Sequence, residues 1–562
     1  MMRLPPVPRL ARRLLPALCI ALFLALAAAH LGRPGLYGDE VIFAPISYVI
    51  LGAGDLQAAI ASDIAGWPFR QHPFYVGLLK PYLHAPILAA FGASPLTLRL
   101  PMILVGALCL ALTWRFARAR LGGFWAGVLL VLAATDPAFV YHVRIDWGPV
   151  AFSILFKLLA LGSLVRFTET RRTRDLALLV LWLALGFYDK SSFLFFVAAL
   201  GAAGLAVHGD ALLAYARARP AHAAIVLPGA AALFAAMTAA WVLPAMEAVP
   251  STSAHAGLGF AERLASTWGI YLYTMSGQAV RAWTTGELMA VQPVHPLLIV
   301  PQLLATAAVA VRGAARRRLA AEERWLVLSG LLTVLVFVQL AASRHVGGSH
   351  HAMMIWPLHL INLVLCGVVA ERALTDGARR RVRASAALLA AMVTATHLWV
   401  GLLTLRSFIA DGPFRPGFSP AVYDLARAVR ERGAAADAIH VVDWSIQEPL
   451  VTLIGPELSR RVRGFWPILE GYREPRADAD EWLFQSFLGD RLTLAVMAAP
   501  GRSLLPPNSD AFMALVGRLR LCVADRTVLE GPDGTPEYVL LVLDGRAETC
   551  PGASATAAWQ GR

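Results

Sequence analysis

The chain has 562 residues, of which 57% are apolar and 15% are charged, and its mean hydropathy is +0.59. An ordinary soluble domain carries about 25% charged residues, so this composition excludes a soluble globular protein and indicates one that crosses a membrane many times. The formal net charge is +13. The arginines form short clusters between apolar segments, which is typical of the cytoplasmic loops of a multi-span protein and not of a nucleic-acid-binding surface.

The N-terminal segment has two interpretations. Several arginines precede an apolar run over residues 14–29 that ends in Ala27-Ala28-Ala29, as in a cleavable signal peptide. The same run, extended to Leu31, is long enough for an uncleaved first span, and we favour the span because more spans follow. Either interpretation places residues 32 onward outside the cytoplasm.

The apolar runs predict about eleven membrane spans. A span needs roughly 17 to 25 mostly apolar residues. Such runs occur at 14–31, 99–117, 122–140, 149–166, 175–188, 192–208, 222–244, 294–311, 325–342, 352–370 and 384–404. The predicted fold class is therefore a mainly α, polytopic transmembrane helix bundle over residues 1–405.

The arginine clusters predict the orientation of this bundle. Each cluster follows an even-numbered span, and positively charged loops stay in the cytoplasm. The odd-numbered connections therefore lie outside, including a first loop at 32–98 and a long loop at 245–293. We expect the inner membrane of a bacterium, with everything after residue 405 in the periplasm.

The composition changes after residue 405, and residues 406–562 are predicted to form a small periplasmic α/β domain. Helical patterns cover 420–432 and 509–519, and strand patterns cover 439–442, 492–497 and 536–543. No spacing in this domain is typical of a catalytic site, so a lid or an acceptor-docking role is expected. Cys522 and Cys550 are candidates for a disulfide in an oxidising compartment.

Ionisable residues gather at the predicted outer ends of the spans. They are Asp39, Glu40, Lys80, Asp136, His142, Arg144, Asp146, Asp189, Lys190, His350 and His351. Five separate segments thus bring acids and bases to one membrane face, whereas a transporter needs charges near the middle of the membrane. Lys157, about halfway along the fourth span, is the exception and has no evident partner in the sequence.

Acids and cations together at a bilayer surface suit a reaction between a lipid-linked donor and a polar acceptor. A lipid phosphate leaving group needs fixed positive charge where negative charge develops, and Lys80, Arg144 and Lys190 are candidates. An acceptor hydroxyl needs a carboxylate that takes its proton, and Asp39 is the candidate.

Each of these residues also has a simpler explanation. Asp39 could cap a short surface helix, Lys80 could reach the headgroup level as an isolated lysine, and Arg144 could pair with Asp146. His350 and His351 could be metal ligands, but adjacent histidines point in different directions on a helix. We therefore expect neither a metal nor another cofactor.

Four short motifs in order resemble the polytopic GT-C glycosyltransferases, in the branch of protein O-mannosyltransferases and bacterial lipid A aminoarabinose transferases. The motifs are Gly38-Asp39-Glu40, Lys80-Pro81-Tyr82-Leu83, Phe91-Gly92-Ala93-Ser94 and Arg99-Leu100-Pro101. The resemblance covers about the first 200 residues. Tyr82 stands where these families have a second proline.

The resemblance implies roles for individual residues. Asp39 would activate the acceptor with support from Glu40, Lys80 would contact the lipid phosphate, and Asp146 would be the acid of the second outer loop. The close spacing of Arg144 and Asp146 leaves open whether Asp136 or Asp146 is that acid. His142, Lys190, His350 and His351 complete the predicted substrate-binding set.

The expected function is transfer of a hexose or pentose from a polyprenyl phosphate carrier to a periplasmic acceptor, with inversion. The acceptor would be a glycolipid, a polysaccharide or a protein. Two alternatives remain from other classes: a transporter or flippase of lipid-linked sugars, and a non-catalytic envelope assembly protein. The expected partners are membrane lipid, a polyprenyl phosphate sugar and a glycolipid or protein acceptor, and not nucleic acid.

Overall fold

The computed structural model of the protein describes residues 9–53, 60–64, 67–71, 76–243, 255, 257–290, 292–343, 348–410, 412–466, 469, 487–489, 491–503 and 508–546. It consists of a helical bundle followed by a small mixed α/β domain. Cys550 of the predicted disulfide lies outside the described residues, so the pairing with Cys522 stays a prediction.

The bundle contains helices at every predicted span. In chain order they are α1 Arg9–Ala28, α2 Gly38–Val41, α3 Ala44–Ile50, α4 Leu79–Phe91, α5 Pro95–Thr135, α6 Pro137–Ile145, α7 Val150–Thr170, α8 Thr173–Asp189, α9 Leu194–Ala218, α10 Pro220–Met237, α11 Phe260–Met275, α12 Gln278–Thr285, α13 Ile299–Arg316, α14 Ala321–Ala342, α15 Ser349–Ala352, α16 Leu358–Arg372 and α17 Asp376–Ile409. A short antiparallel hairpin, β1 Ile60–Ile64 and β2 Trp67–Gln71, lies between α3 and α4.

Seven helices in the described part of the chain are long and apolar enough to cross a membrane. One of them, α5, covers two of the predicted spans and is divided at Gly122, whose φ of 80° is readily adopted by glycine. The predicted mainly α membrane bundle is therefore confirmed. Helices α8 and α16, at predicted spans, have 17 and 15 residues and are shorter than these seven.

Lys157 has a structural explanation. Its ammonium group is fully buried and donates hydrogen bonds to the carbonyl oxygens of Met353 at 2.9 Å, Met354 at 3.1 Å and Trp356 at 2.5 Å. These carbonyls belong to the turn before α16. A buried backbone oxygen needs a donor, and Lys157 supplies it from another helix.

The C-terminal domain contains a five-stranded sheet in the order β4-β3-β5-β7-β6. Its elements are α18 Val422–Gly433, β3 Ala438–Val441, α19 Gln447–Ile454, α20 Pro456–Ser459, β4 Val462–Gly464, β5 Leu492–Ala498, α21 Asn508–Arg518, β6 Cys522–Glu530 and β7 Pro536–Asp544. β3 is parallel to β4 and β5, and β7 is antiparallel to β5 and β6. Two apolar clusters involve the sheet, so the predicted small α/β domain is confirmed.

The short helix α3 connects the two parts of the molecule. The sequence suggests a surface helix near residues 41–51, but Ala44, Ile46 and Tyr48 are buried. The hydroxyl of Tyr48 donates to the carbonyl oxygen of Thr452 in α19 at 2.7 Å. The helix α3 is therefore packed against the C-terminal domain.

Candidate active site

A buried ion pair lies at the centre of the site. Lys80, in the first turn of α4, places its ammonium nitrogen 2.8 Å from Oδ2 of Asp146 and 3.2 Å from the carbonyl oxygen of Glu40. Asp146 follows α6 in a left-handed conformation, and its Oδ1 accepts a hydrogen bond from the amide of Ala151 at 2.9 Å. The ammonium also lies 4.2 Å from the centre of the Phe43 ring. Contacts on several sides therefore fix its position.

Asp39 lies beside this pair in α2. Its Oδ2 accepts a hydrogen bond of 3.0 Å from the indole nitrogen of Trp147, the residue after Asp146. Burial raises the pKa of Asp39, while the bond from Trp147 and the charge of Lys190 act in the opposite direction. The side chain keeps some exposure, so it is the type of carboxylate that could take a proton from a bound hydroxyl.

Glu40 points in another direction. Its carboxylate receives two hydrogen bonds from Arg99 of α5, at 2.5 and 2.8 Å. Arg99 also donates to the carbonyl oxygens of Pro34 at 3.0 Å and Gly35 at 3.3 Å. A two-pronged contact between a guanidinium and a carboxylate fixes the geometry of both groups, and this one joins the start of the first loop to α5 and holds Asp39 in place.

Lys190 approaches from the end of α8. Its ammonium donates to the carbonyl oxygen of Gly148 at 2.8 Å, and burial lowers its pKa to about 8, partly offset by the charges of nearby acids including Asp39. The neighbouring Asp189 is buried within electrostatic reach of Lys80, and its carboxylate has no hydrogen-bond partner among the described residues. The site therefore contains a second lysine and a further acid.

The predicted histidines lie on the far side of Trp147. The His350 ring is 5.3 Å from that of Trp147 and 4.0 Å from that of His351. The pKa of each histidine is lowered mainly by burial, and the pKa of His351 is about 3. His142 lies deeper, with Nε2 3.2 Å from the hydroxyl of Ser349. His350 is thus next to the site, whereas His142 supports it from behind.

Arg144 does not pair with Asp146, as one interpretation of the sequence suggested. Its guanidinium donates to the carbonyl oxygens of Ala27 at 3.3 Å, Ala29 at 2.5 Å, His30 at 2.6 Å and Arg33. These groups lie at the end of α1, where a helix leaves carbonyls without partners. Arg144 therefore stabilises a helix terminus through both terminal nitrogens of its guanidinium, while its Nε has no hydrogen-bond partner among the described residues.

Asp136 is also engaged elsewhere. Its Oδ1 accepts the amide of Ala138 at 2.9 Å and its Oδ2 accepts the indole N–H of Trp356 at 2.9 Å. Asp136 is thus the N-cap of α6. Of the two acids between which the sequence does not decide, the one that meets Lys80 is Asp146.

The sequence did not predict the contribution of α19. This helix packs on α2, and the carboxylate Oε2 of Glu448 would lie 3.5 Å from a Cβ built on Gly38. Burial, and to a smaller extent the negative charge of Asp39, raise the pKa of Glu448 to about 6. Trp444 faces the edge of Tyr37, with ring centres 6.3 Å apart. No local pattern could indicate this contact, since it depends on how two domains dock.

Comparison with known proteins agrees with this architecture. Residues 71–227 match the family model of dolichyl-phosphate-mannose-protein mannosyltransferases, and no curated protein matches the sequence. The apo crystal structure of ArnT from Cupriavidus metallidurans has a TM-score of 0.52 at 15% identity, over 93% of this chain and 97% of that one.

Two further structures are similar. ArnT from the same organism bound to undecaprenyl phosphate has a TM-score of 0.51 at 13% identity, over 96% of this chain and 99% of that one. The second is the archaeal oligosaccharyltransferase AglB from Archaeoglobus fulgidus in complex with an inhibitory peptide and a dolichol-phosphate. Its TM-score is 0.50 at 11% identity, over 98% of this chain and 77% of that one. The GT-C fold expected from the sequence is confirmed.

Proposed function

We propose that this protein, which has an ArnT-like fold, is a membrane glycosyltransferase that moves a sugar from a polyprenyl phosphate carrier to an acceptor. The observation that carries the proposal is the buried Lys80–Asp146 ion pair next to the partly exposed Asp39. The match to a mannosyltransferase family model over residues 71–227 supports it. So does the similarity in fold to a protein crystallised with undecaprenyl phosphate.

An apolar groove on the bundle supports a lipid-linked donor. A cavity of about 730 Å³ lies along α4 and α5, and its lining includes Leu83, Ile87, Phe91, Leu96 and Leu104. Phe91 is 77% exposed and Leu104 is 53% exposed, which is costly in water but suits contact with lipid. Because α4 also carries Lys80, we infer that the polyprenyl chain follows this groove with its phosphate towards Lys80.

The proposed reaction is a single displacement. The carboxylate of Asp39 takes the proton of an acceptor hydroxyl, whose oxygen forms a bond to the anomeric carbon. The bond from that carbon to the phosphate oxygen breaks, and its electron pair stays on the carrier phosphate. Attack from the face opposite the leaving group inverts the anomeric centre, through an oxocarbenium-like state as in glycoside hydrolysis.

Positive charge next to the leaving group supplies most of the stabilisation in this proposal. Lys80 and Lys190 hold two ammonium groups in a buried site, where charge interactions are stronger than in water. Asp146 keeps Lys80 in place before the donor arrives, so little reorganisation is needed. The proposal includes no metal ion.

The arginine pattern of the sequence supports a site that faces away from the cytoplasm, and we propose the periplasmic face of a bacterial inner membrane. The donor sugar, hexose or pentose, is open within this proposal.

The test compares cells with the intact protein, cells with Asp39→Asn and cells without the chain. Mass spectrometry of glycolipids, polysaccharides and glycoproteins should show a product that needs the intact protein. Asp39→Asn should lower it by a factor of about 10² or more, while the protein level in the membrane is unchanged. A transporter or an assembly protein would be indifferent to this substitution, so an unchanged product would refute the proposal.

A further inference from the structure

The C-terminal domain packs directly on the segment that carries Asp39. The amide of Gly35 donates to the carbonyl oxygen of Phe418 at 2.8 Å, and the rings of Tyr37 and Phe418 stack with centres 4.4 Å apart. The Tyr48–Thr452 hydrogen bond described above adds a third contact. Two sequence-distant parts of the chain therefore form one wall of the site together.

Glu448 brings a carboxylate to this wall. Gly38, the residue before Asp39, has no side chain. The carboxylate of Glu448 lies beside the space that a side chain at Gly38 would enter. Within the described part of the chain, the Glu448 side chain accepts a hydrogen bond from its own backbone amide and forms no ion pair with a cation. Like Asp39, it keeps partial exposure. Both carboxylates are therefore available to a ligand.

Two carboxylates at close quarters need a reason to coexist. Like charges in a poorly solvated place repel, and one of the pair tends to keep its proton. A ligand that donates a hydrogen bond to each carboxylate removes this penalty, because both acceptors are then satisfied. The arrangement therefore favours a ligand with two neighbouring hydrogen-bond donors.

We propose that Glu448 is a substrate-binding residue that shares the acceptor site with Asp39, and that the acceptor is a carbohydrate with two adjacent hydroxyls. Asp39 takes the proton of the reacting hydroxyl, and Glu448 accepts a hydrogen bond from the neighbouring one. Glu448 itself forms and breaks no covalent bond. The inference rests on the glycosyltransferase function proposed above and extends it to the acceptor.

The surroundings favour a sugar over a peptide side chain. Trp444 and Trp283 keep partial exposure near the two carboxylates, and the ring of Trp283 lies 5.4 Å from that of Trp147, which bonds Asp39. Binding sites typically combine aromatic surfaces with a few placed polar groups. A serine or threonine presents a single hydroxyl and would leave one carboxylate without a partner.

The first experiment uses membranes that contain the full protein with its endogenous donor and acceptor. Glu448→Gln keeps the shape of the side chain and should lower the rate of product formation at least tenfold. Glu457→Gln, an exposed acid of the same domain in α20, is the matched control and should not change the rate. An unchanged rate in Glu448→Gln would overturn the proposal.

The pH dependence separates binding from a merely structural role. The elements packed against α19 are α2, α3, α18, α20 and β4, and their titratable or charged groups are Asp39, Glu40, Tyr48, Tyr423, Asp424, Arg427, Arg430, Glu431, Arg432, Glu457 and Arg463. Of these, the charge of Asp39 acts on Glu448, and the interaction of two charges is reciprocal. Removing the negative charge of Glu448 should therefore lower the pKa of Asp39 and move the acid limb of the rate to lower pH. A lower rate with an unmoved limb would show a structural role only.

Two further measurements make the outcomes distinguishable. Mass spectrometry of the product should place the new sugar on a carbohydrate beside a free hydroxyl, and a sugar on a protein side chain would overturn the acceptor class. Infrared titration of the carboxyl groups does not depend on activity: in Asp39→Asn, protonation of Glu448 should move to lower pH. An unmoved titration would refute the carboxylate pair, whereas absence of any product from the intact protein would refute the glycosyltransferase function.

Discussion

The proposed function gives Lys80 a chemical role beside its structural one, and the two should respond differently to substitution. Lys80→Met leaves the Asp146 carboxylate buried without its cation, which should cost about 3–5 kcal/mol of unfolding free energy. The double variant Lys80→Met/Asp146→Asn removes both charges and should regain most of that stability. Transfer should stay lower by a factor of about 10²–10³ in both variants, because the charge next to the phosphate is absent.

Thermal unfolding in detergent and product formation in membranes measure these two roles separately. The control is Arg379→Met, which breaks the exposed pair between Arg379 and Asp376 and should change neither quantity, since exposed pairs contribute about 0–1 kcal/mol. Recovery of transfer in the double variant would show that Lys80 serves only to balance Asp146.

The adjacent acids Asp39 and Glu40 should give opposite results. Glu40→Gln leaves the buried Arg99 without its carboxylate, so unfolding should become easier by about 3–5 kcal/mol while transfer per folded molecule is largely kept. Asp39→Asn removes a carboxylate whose charge is disfavoured by burial, so stability should be equal or higher while transfer is lost. Unfolding and transfer normalised to folded protein measure the two effects. Loss of transfer in Glu40→Gln with transfer kept in Asp39→Asn would show that Glu40, and not Asp39, is the base.

The sequence could predict some site residues and not others, for reasons of distance and chemistry. Asp39, Lys80 and Asp146 stand at the outer ends of predicted spans, so the membrane itself aligns them. Arg144 has a charge that suits a phosphate, but its observed partners are backbone carbonyls, which no residue pattern displays. Glu448 reaches the site only through domain docking, and Tyr48 and its partner in α19 are 404 positions apart.

Secondary structure shows the same division among elements. The long apolar helices and the continuously apolar strands β3, β5 and β7 were predicted as elements, and the strand bounds agree to within one residue. The edge strand β6 was not, because Asp525 and Arg526 lie on its exposed part and interrupt the apolar pattern. β4 has three residues and α19 has eight, which is too short for a clear period.

The end of α1 depends on Arg144, and this gives a prediction for the helix as a unit. Arg144→Met removes the donor to one buried and three part-buried carbonyl oxygens, and a group fully shut off from water would cost about 1–3 kcal/mol. We expect a marked drop in thermal unfolding temperature. The rate of transfer per folded molecule should change less than threefold, which corresponds to roughly 0.6 kcal/mol of activation free energy. Arg144→Lys should recover part of the stability because an ammonium reaches fewer carbonyls. Loss of transfer in folded Arg144→Met would instead return Arg144 to the donor site.

The complete site, assembled from both domains, predicts how transfer depends on pH. On the acid side, Asp39 must be ionised to act as a base. Burial raises its pKa, and the pKa of its neighbour Glu448 is about 6. Transfer should therefore rise with pH through a limb above the ordinary carboxyl value of about 4. On the alkaline side, Lys190 must stay protonated to stabilise the phosphate, and its pKa is about 8. Transfer should fall as pH rises past that value.

The resulting profile is a bell whose alkaline limb lies near pH 8, and each limb has its own diagnostic variant. Lys190→Arg keeps a positive charge that does not titrate in this range, so it should extend activity to higher pH without moving the acid limb. Glu448→Gln should move the acid limb and leave the alkaline one. Initial rates in membranes from pH 5 to 9, with protein integrity checked at each end, measure both limbs. An alkaline limb that stays in place in Lys190→Arg would show that a group other than Lys190 sets it, and would remove Lys190 from the charge next to the leaving phosphate.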